Sequence, residues 1–405
     1  MRFEEFDLND DILDAISYMG YEKASPIQEK AIPIILNNKD ILAFAQTGTG
    51  KTAAFLLPIL DKIGQHKTDA INTLIIVPTR ELAIQIDQQV QGFSYFIPVT
   101  SIAIYGGGDG KDWSQERNAL ENGVNIIVAT PGKLISHLST GHFKLEKLEH
   151  LILDEADRML DMGFYEDIQR IVSFLPKKRQ TLMFSATMPP NIKKLAKSIL
   201  NNPEEVSIEM SKPAEGVLQA AYLVKEEHKN ALIKHLVADK EEYKSILVFT
   251  STKAKVNRIV SSIKSNKYIV QGISSDLLQK DREEVISNFR AKRTRILVAT
   301  DVMSRGIDIK DIGLIINYDV PNDAEDYVHR VGRTARAEAE GVALTLINEA
   351  DMYKFKRIEQ LIETEILKIP LPIEIGQSPV WDNFSTKPKR NFNSRNNYNK
   401  KGSKQ

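Results

Sequence analysis

The sequence predicts an α/β protein with two tandem, doubly wound parallel-sheet domains, a short linker between them and a disordered basic C-terminal tail. The chain has 405 residues, which is too long for one ordinary domain. Short apolar runs alternate with helical patterns along most of it, as buried parallel strands alternate with crossover helices. This alternation stops near residue 205 and resumes near residue 218. We expect domains over residues 1–205 and 218–370, a linker over 206–217 and a tail over 371–405.

The composition is that of a soluble globular protein, with 42% hydrophobic and 27% charged residues. The sequence contains no run of eighteen apolar residues, so it predicts no membrane span. The acidic segment Met1–Asp7 lacks the apolar region of a signal peptide. The absence of cysteine excludes disulfides and thiol chemistry, and the 7 histidines form no zinc-like cluster. We therefore expect a cytoplasmic protein with no membrane contact.

The charges of the chain are unevenly placed, although they sum to zero. Residues 387–405 contain seven lysines and arginines and no acid, which leaves 47 bases against 54 acids in the remainder. A basic tail on an acidic body indicates a polyanionic partner. The alternative is a tail that only adds solubility.

The first part of the chain predicts a helix, a turn and a second helix. Apolar residues over Leu8–Met19 recur with a helical period, and Gly20 ends that helix. Pro26 suits a first helical turn, and the second helix is predicted over about Glu29–Leu36. These residues by themselves indicate no function.

A phosphate-binding loop is predicted directly after this segment. The apolar strand Asp40–Phe44 leads into the loop Ala45–Thr52, and the helix Ala53–Ile63 follows. In this arrangement glycines let backbone amides face phosphate oxygens, and the helix N-terminus adds a partial positive charge. Lys51 is then placed to neutralise phosphate, and the Thr52 hydroxyl to bind Mg²⁺. The alternative is a glycine-rich turn before an ordinary helix, since the pattern begins here with alanine rather than glycine.

Further strands of the first domain are each followed by polar residues. The strands are predicted at Leu74–Val77, Ile126–Ala129, Leu151–Leu153 and Thr181–Phe184. Helices are predicted at Arg80–Val90, Lys133–Leu138 and Phe164–Phe174. Ligands of such sheets lie beyond the carboxyl ends of the strands. The polar clusters that we expect at this edge are Ala45–Thr52, Pro78–Glu81, Thr130–Lys133, Asp154–Asp157 and Ser185–Thr187.

The acidic strand end at Asp154 and Glu155 predicts a cation and a phosphate nearby, because buried charges must be paired. Opposite a phosphate loop, Asp154 is placed to hold Mg²⁺ and Glu155 to orient and deprotonate an attacking water. The alternative is an acidic turn exposed to solvent. Only the other motifs of the chain argue against it.

The second domain repeats the alternation without a phosphate loop of its own. Its strands are predicted at Gln219–Val224, Ile246–Phe249, Tyr268–Gln271, Ile296–Ala299, Leu314–Asn317 and Val342–Ile347, with helices at Lys253–Ile263 and Leu277–Phe289. Arg330, Arg333 and Arg336 lie three residues apart, on one face if this segment is helical. They suggest arginine fingers brought to the nucleotide when the domains close. The alternative is a solvated basic face.

In their order, these motifs resemble those of the DEAD-box RNA helicases of helicase superfamily 2. The resemblance runs from Phe3 to about Ile347, and Asp154–Asp157 spells the motif that names the family. It implies two RecA-like domains and a Q motif within residues 1–29, and alanine is usual at the first position of the family's phosphate loop. It assigns nucleotide binding to Phe3, Tyr21, Gln28, Ala45, Gln46, Thr47, Gly48, Thr49, Gly50, Lys51, Thr52, Gly306 and Asp308.

The resemblance also implies the remaining roles. Catalysis falls to Lys51, Asp154, Glu155, Arg333 and Arg336, with Mg²⁺ held by Thr52 and Asp154. Coupling between the ATP site and strand separation falls to Ser185, Thr187, Asp157 and His329. RNA binding falls to Thr79, Arg80, Gly107, Thr130, Pro131, Gly132, Lys133, Thr250, Arg282, Thr300 and Asp301. The sequence departs from the family at Lys133, where arginine is usual, at Ala335, where glycine is common, and at Gly272–Ser275, which replaces a His-Gly pair.

We therefore predict a monomeric ATP-dependent RNA helicase that uses ATP and Mg²⁺ and either separates short RNA duplexes locally, without processive movement, or remodels RNA–protein complexes. Single-stranded or short duplex RNA is the expected partner, ribosomal or mRNA-decay proteins are further candidates, and the tail suits non-specific RNA capture. Three alternatives remain open: a simple phosphate-loop ATPase or metabolic kinase, a DNA-acting helicase of the same superfamily, and an ATP-gated RNA clamp with little unwinding.

Overall fold

The structure is a computed structural model. It describes residues 1–45, 48–65, 70–107, 110–141, 143–208, 217–238, 242–265, 267–274, 276–300, 312–334 and 341–381. These residues form two compact units, each built on its own seven-stranded sheet. The predicted α/β class with two doubly wound parallel sheets is confirmed.

The strands of the first sheet come from the first half of the chain. They are β1 (Ile41–Phe44), β2 (Thr73–Ile76), β3 (Ser101–Ile104), β4 (Ile126–Ala129), β5 (His150–Leu153), β6 (Gln180–Ser185) and β7 (Glu204–Ser207). Their order is β3-β4-β2-β5-β6-β1-β7, and every neighbouring pair is parallel. The order reverses beside β1 and β5, so the loops after these two strands lie at the switch point where α/β sheets bind ligands.

The helices of this unit cover both faces of its sheet. They are α1 (Asp10–Tyr18), α2 (Pro26–Leu36), α3 (Lys51–Gln65), α4 (Arg80–Phe93), α5 (Gly110–Asn122), α6 (Pro131–Leu138), α7 (Ala156–Asp161), α8 (Tyr165–Ser173) and α9 (Pro190–Ile199). Successive strand residues point to opposite faces, so Ile41 and Ala43 join one core layer while Leu42 joins the other. Burial on both faces explains why these strands read as unbroken apolar runs.

Two strands of this sheet were not predicted, and both lie at its edges. β3 is only half buried over Ser101–Ala103, and three of the four residues of β7 are exposed. An edge strand can carry polar residues, because one side of it meets water. The apolar pattern of the central strands is therefore missing in β7, whereas β3 has the short apolar run Ile102–Ile104, which was not recognised as a strand.

The second sheet has the same architecture. Its strands are β8 (Val217–Leu223), β9 (Ile246–Thr250), β10 (Val270–Ile273), β11 (Ile296–Thr300), β12 (Leu314–Asn317), β13 (Gly341–Ile347) and β14 (Leu367–Ile369), in the order β10-β11-β9-β12-β13-β8-β14. The helices of this half of the chain are α10 (Lys229–Val237), α11 (Lys253–Ile263), α12 (Gln279–Arg290), α13 (Ala324–Val331) and α14 (Met352–Ile362). The three-residue edge strand β14 was not predicted.

The segment after β14 continues to pack on the second unit. Leu371 is buried in the core of that unit, and the Trp381 ring meets the Phe355 ring edge-on at 6.3 Å. The Lys368 ammonium lies 4.7 Å from the centre of the same indole. We therefore propose to place the start of the tail after Trp381 instead of after residue 370. The predicted linker falls largely outside the described residues, as does the basic part of the tail.

Among the described residues, none of the helices has both the length and the apolar character that a membrane crossing needs.

Candidate nucleotide and RNA site

The loop after β1 has the backbone geometry of a phosphate cradle in the part that the structure describes. Gly48 and Gly50 adopt φ values of +86° and +92°, which L side chains rarely adopt. Helix α3 begins at Lys51, so its first unpaired amides lie directly after the loop. Gln46 and Thr47, two of the predicted nucleotide ligands, lie outside the described residues.

Gln28 joins the N-terminal segment to this loop. Its side-chain nitrogen donates to the Gly50 carbonyl at 3.0 Å, while its side-chain oxygen accepts from the Ser25 amide at 2.8 Å. A Cβ built on Gly50 would approach Gln28 Nε2 to 2.5 Å, so a side chain at this position would displace the glutamine, and the φ of +92° favours glycine there as well. The same glutamine also caps α2, and the helix therefore begins at Pro26, three residues before the predicted start.

Two predicted aromatic ligands have different surroundings. Phe3 is 2% exposed and packs in the core beside Phe6, with its ring centre 6.3 Å from that of Tyr21. Tyr21 is partly exposed and also meets the Phe93 ring edge-on at 5.6 Å. Of these two rings only that of Tyr21 is accessible, and Phe3 lies behind it. The nucleotide contact of Phe3 stays a prediction.

Lys51 and Asp154 meet across the switch point. The Lys51 ammonium lies 4.0 Å from Asp154 Oδ1, and both side chains are almost fully buried. Among the described residues, the ammonium has no hydrogen-bond partner. Burial raises the pKa of the Asp154 carboxyl to about 6, although the charge of Lys51 opposes this shift. A buried cation that lacks a hydrogen bond and lies beside a carboxylate fits a site that binds a phosphate together with its metal ion.

Glu155 lies at the N-terminus of α7 in a left-handed conformation, with φ 52° and ψ 48°. Its carboxylate accepts a 2.5 Å hydrogen bond from Arg158, and both side chains are buried. The second terminal nitrogen of Arg158, Nη2, is buried and has no hydrogen-bond partner within the described ranges. Sequence reasoning missed Arg158, although its spacing of three residues from Glu155 on a helix could have indicated the pair.

Asp157 connects the acidic strand end to the loop after β6. Its Oδ2 atom accepts from the Ala186 amide at 3.1 Å, the Thr187 amide at 3.0 Å and the Thr187 hydroxyl at 3.1 Å. Ser185 donates from its hydroxyl to the Thr187 carbonyl at 2.7 Å. The structure therefore brings three of the four predicted coupling residues into one hydrogen-bonded group.

The predicted RNA-binding residues of the first unit follow β2, β3 and β4. Thr79 caps α4, and the Arg80 guanidinium lies 4.4 Å from the centre of the Tyr105 ring. Gly107 has φ +93°, in the turn after β3. Thr130, Pro131 and Gly132 form the start of α6, and Lys133 follows in its first turn. All of them lie at the same carboxyl edge as the phosphate loop.

In the second unit, Thr250 is fully buried and donates its hydroxyl to Asp319 Oδ2 at 2.8 Å. The same carboxylate accepts from the Ser251 amide at 2.8 Å. The Thr250 side chain thus bonds to the protein and helps to shape the loop, and the contact predicted between Thr250 and RNA stays a prediction. Asp319 was missed because one acid after a strand carries no signal in the sequence.

The predicted row of arginines is only partly helical. Helix α13 ends at Val331, so Arg330 lies on it and Arg333 lies beyond it. Arg330 is buried and donates to the Asn317 side chain at 3.1 Å and the Asp319 carbonyl at 2.8 Å, so it supports the fold. His329 and Arg333 are partly exposed. Asp301, Gly306, Asp308 and Arg336 lie outside the described residues.

Two other predicted RNA ligands are placed within elements of the second half. Arg282 lies on α12, and Thr300 is the last residue of β11 and is partly exposed.

Two family profiles match the chain in tandem. Residues 25–195 match the DEAD/DEAH box helicase family, and residues 227–338 match the helicase conserved C-terminal domain. Full-length relatives agree: the ATP-dependent RNA helicase CshA of Listeria monocytogenes is 40% identical over 94% of this chain and 71% of the relative. The chain belongs to the DEAD-box ATP-dependent RNA helicases. CshA of Geobacillus kaustophilus is also 40% identical, over 91% of this DEAD-box protein and 78% of the relative.

Solved structures support this membership. Saccharomyces cerevisiae Dbp5 bound to RNA and ADP BeF3 has a TM-score of 0.80 and 31% identity, covering 91% of this chain and 95% of that one. A DEAD-box protein from the hyperthermophile Methanococcus jannaschii is 37% identical over 91% of this chain and 99% of the other, with a TM-score of 0.53. This DEAD-box chain is therefore an enzyme of an ATP-hydrolysing family.

Proposed function

We propose that this DEAD-box helicase is an RNA-stimulated ATPase that separates short RNA duplexes locally. The observation that carries the proposal is the pairing of the buried Lys51 ammonium with Asp154, 4.0 Å away, at the end of a phosphate loop. Its relatives carry the name ATP-dependent RNA helicase, and solved relatives are bound to RNA together with a nucleotide analogue.

The geometry described above supports the proposed roles in nucleotide binding. Lys51 binds the terminal phosphates, because its buried ammonium has no hydrogen-bond partner in the part of the chain that the structure describes. Tyr21 faces the base, as in the family's Q motif, and Gln28 supports the phosphate loop beside it through its bonds to Ser25 and Gly50. Thr52 and Asp154 would hold Mg²⁺, which supplies charge neutralisation on the phosphates. No group of three or more acidic or histidine side chains among the described residues could hold a metal, which suits a cation that takes most of its ligands from phosphate and water.

Glu155 is the proposed general base. It orients a water molecule towards the terminal phosphate and accepts a proton from it at the carboxylate. Arg158 holds that carboxylate at 2.5 Å and fixes its direction. Arg333, and Arg336 beyond the described residues, are the proposed arginine fingers from the second domain. Without them, Lys51 and Asp154 should bind ATP and hydrolyse it slowly.

Closure of the two domains on ATP and single-stranded RNA is the proposed working step. Thr79, Arg80, Gly107 and the Thr130–Lys133 segment contact the RNA backbone in this proposal, so little base specificity is expected. Contacts to 2′-hydroxyls favour RNA over DNA. A clamp that bends one strand of a short duplex expels the other strand, which gives local rather than processive separation.

We assign the capture of RNA to the positive charge of the tail rather than to a folded RNA-binding module. The basic residues after position 386, with aromatic residues among them, suit capture of RNA by charge and stacking. Ribosomal or mRNA-decay proteins remain candidate partners. We also propose that the protein is a monomer and is located in the cytoplasm.

One comparison of substrates tests the function. The ATPase rate is measured with single-stranded RNA, with DNA of the same sequence and with neither, next to a strand-separation assay on a short RNA duplex. We expect stimulation by RNA and ATP-dependent loss of the duplex. Equal stimulation by DNA would contradict the RNA assignment. Stimulation by RNA without strand separation would favour an ATP-gated clamp.

A further inference from the structure

Lys133 is enclosed by side chains from two helices of the first unit. Its ammonium lies 2.9 Å from Glu116 Oε2 and 5.0 Å from the centre of the Trp113 ring. The same carboxylate oxygen lies 2.8 Å from His137 Nε2, and the His137 ring stacks on the Trp113 ring at 3.9 Å and 9°. We call these residues, Trp113, Glu116, Lys133 and His137, the lysine cage.

Helix spacing builds the cage. Trp113 and Glu116 lie three residues apart on α5, and Lys133 and His137 lie four apart on α6, so each pair shares one helix face. The side chains of Glu116 and Lys133 are 7% and 15% exposed, and that of His137 is fully buried. The ion pair is therefore shielded from water, where such pairs are stronger than on an open surface.

The cage lies where the RNA strand is expected. Lys133 is the last residue of the Thr130–Lys133 cluster, which opens α6 at the carboxyl edge of the sheet. A lysine has one compact charge, so it cannot bind a carboxylate and a phosphate as fully as it binds either alone. In this chain, the cation at the motif position that the family uses to contact RNA is already paired with a carboxylate.

We propose that Glu116 sets the RNA affinity of this helicase by competing with an RNA phosphate for Lys133. This inference rests on the proposed function, in which Lys133 contacts the RNA backbone. Glu116 weakens that contact, and Trp113 helps by keeping the ammonium over its ring. When the RNA strand dissociates, Glu116 pairs with the Lys133 ammonium again, which favours release of the RNA after each cycle.

The test is the substitution Glu116→Gln, which keeps the size of the side chain and its ability to hydrogen-bond to His137. Binding of a fluorescent single-stranded RNA is measured from 50 to 300 mM salt with a non-hydrolysable ATP analogue. We expect binding about fivefold tighter, and a slope of log K against log salt that is steeper by about 0.7, the value for one more phosphate neutralised on a single strand. A purely structural role for Glu116 would leave that slope unchanged or weaken binding.

Matched variants separate the possible causes. Glu121→Gln removes one charge from the exposed end of α5, where Glu121 pairs with Arg117 at 2.7 Å. If it tightens binding as much as Glu116→Gln does, a general charge effect explains the result and the inference is wrong. Adding Glu116→Gln to Lys133→Gln should change nothing, because the competition needs the lysine. A gain in affinity in that double variant would also contradict the inference.

Lys133→Gln alone distinguishes the two proposals. If it does not weaken RNA binding, the RNA site proposed for the α6 segment fails, and the inference fails with it. If it weakens binding while Glu116→Gln does not strengthen it, only the inference fails. Should Glu116→Gln not fold, as judged by circular dichroism, Trp113→Leu loosens the same ammonium and is expected to tighten binding about twofold. Unchanged or weaker binding by folded Trp113→Leu would then overturn the inference.

Discussion

The Gln28 side chain ties the N-terminal segment to the phosphate loop through a 3.0 Å hydrogen bond to the Gly50 carbonyl. Gln28→Glu keeps an oxygen to accept from the Ser25 amide, but it replaces the donor that faces Gly50 with a second acceptor. We expect the KM for ATP to rise about tenfold, since a lost hydrogen bond and an unfavourable pair together cost about 1–2 kcal/mol. The measurement is the RNA-stimulated ATPase rate against ATP concentration. An unchanged KM would show that the loop keeps its shape without this tie.

Glu155→Gln tests the proposed general base. The variant should bind ATP and RNA within about threefold of the parent protein, because the amide has the size of the carboxylate. Its kcat should fall at least about 100-fold, the range for loss of a general base. Single-turnover hydrolysis measures the effect, and Glu166→Gln on the exposed side of α8 is the control. Full activity of Glu155→Gln would rule out the assigned role.

Arg158 is predicted to act on the reaction through Glu155. Arg158→Ala leaves a buried carboxylate without its 2.5 Å partner, so the carboxylate turns away or takes up a proton. We expect kcat to fall about tenfold while the KM for RNA is unchanged, and Arg158→Lys to recover part of the loss. Equal losses in kcat and in thermal stability, with no rescue by lysine, would indicate a structural role only. Arg117→Ala, in an exposed pair on α5, is a suitable control.

His150 makes the fold sensitive to acid. Burial, then the charge of Lys62, lowers its pKa to about 3, from an ordinary value of 6.5. Between pH 6.5 and 3 the unfolded chain binds a proton that the folded protein does not, so the free energy of unfolding falls on acidification. The slope is up to about 1.4 kcal/mol per pH unit. His150→Gln can still donate to Gln180, and it should flatten this dependence in urea titrations at pH 7, 6 and 5. The same substitution at the exposed His235 should leave the pH dependence unchanged. If the free energy of unfolding varied with pH in the same way in the parent protein and in His150→Gln, the prediction would be wrong.

Asp319 is expected to hold the second unit together. Burial by itself raises the pKa of its carboxyl, but the charge of Lys229 and the hydrogen bonds from Lys255 and the Ser251 amide hold that pKa well below its usual range. Asp319→Asn leaves the fully buried Lys229 with less counter-charge and should destabilise the unit by about 3 kcal/mol. Denaturant titration measures this loss. Combining Asp319→Asn with Lys229→Met should recover part of it, and no recovery would mean that Lys229 is not the group left unpaired.

The central strands were predictable because burial on both faces leaves an apolar run with a sharp end. Ile126–Ala129 and Leu314–Asn317 match β4 and β12 residue for residue. The edge strands β7 and β14 were missed because they are short and largely exposed and resemble a loop, and the short apolar run of β3 was not recognised as a strand. Helix ends differed where a side chain sets them, as Gln28 does for α2.

The site was predictable at the level of motifs and less so at the level of contacts. Lys51 and Asp154 meet as their motifs imply, since both follow strands beside the switch point. No pattern in the sequence shows that Phe3 is buried behind Tyr21, that Thr250 is bound by Asp319 or that Lys133 is paired with Glu116. The first two contacts depend on packing between segments that lie far apart in the chain. The third depends on whether the Lys133 ammonium pairs with a carboxylate of the protein or with a phosphate of the RNA.

The left-handed backbone at Glu155 bears on how this enzyme can be engineered. A residue with a side chain is strained there by about 1 kcal/mol, and glycine would adopt the same angles freely. Loss of the carboxylate would leave the buried Arg158 guanidinium without its counter-charge, which costs about 3–5 kcal/mol and outweighs the relief of strain. Stability and the proposed chemistry therefore depend on the same side chain at residue 155, so a directed-evolution campaign that selects only for heat resistance should still retain Glu155.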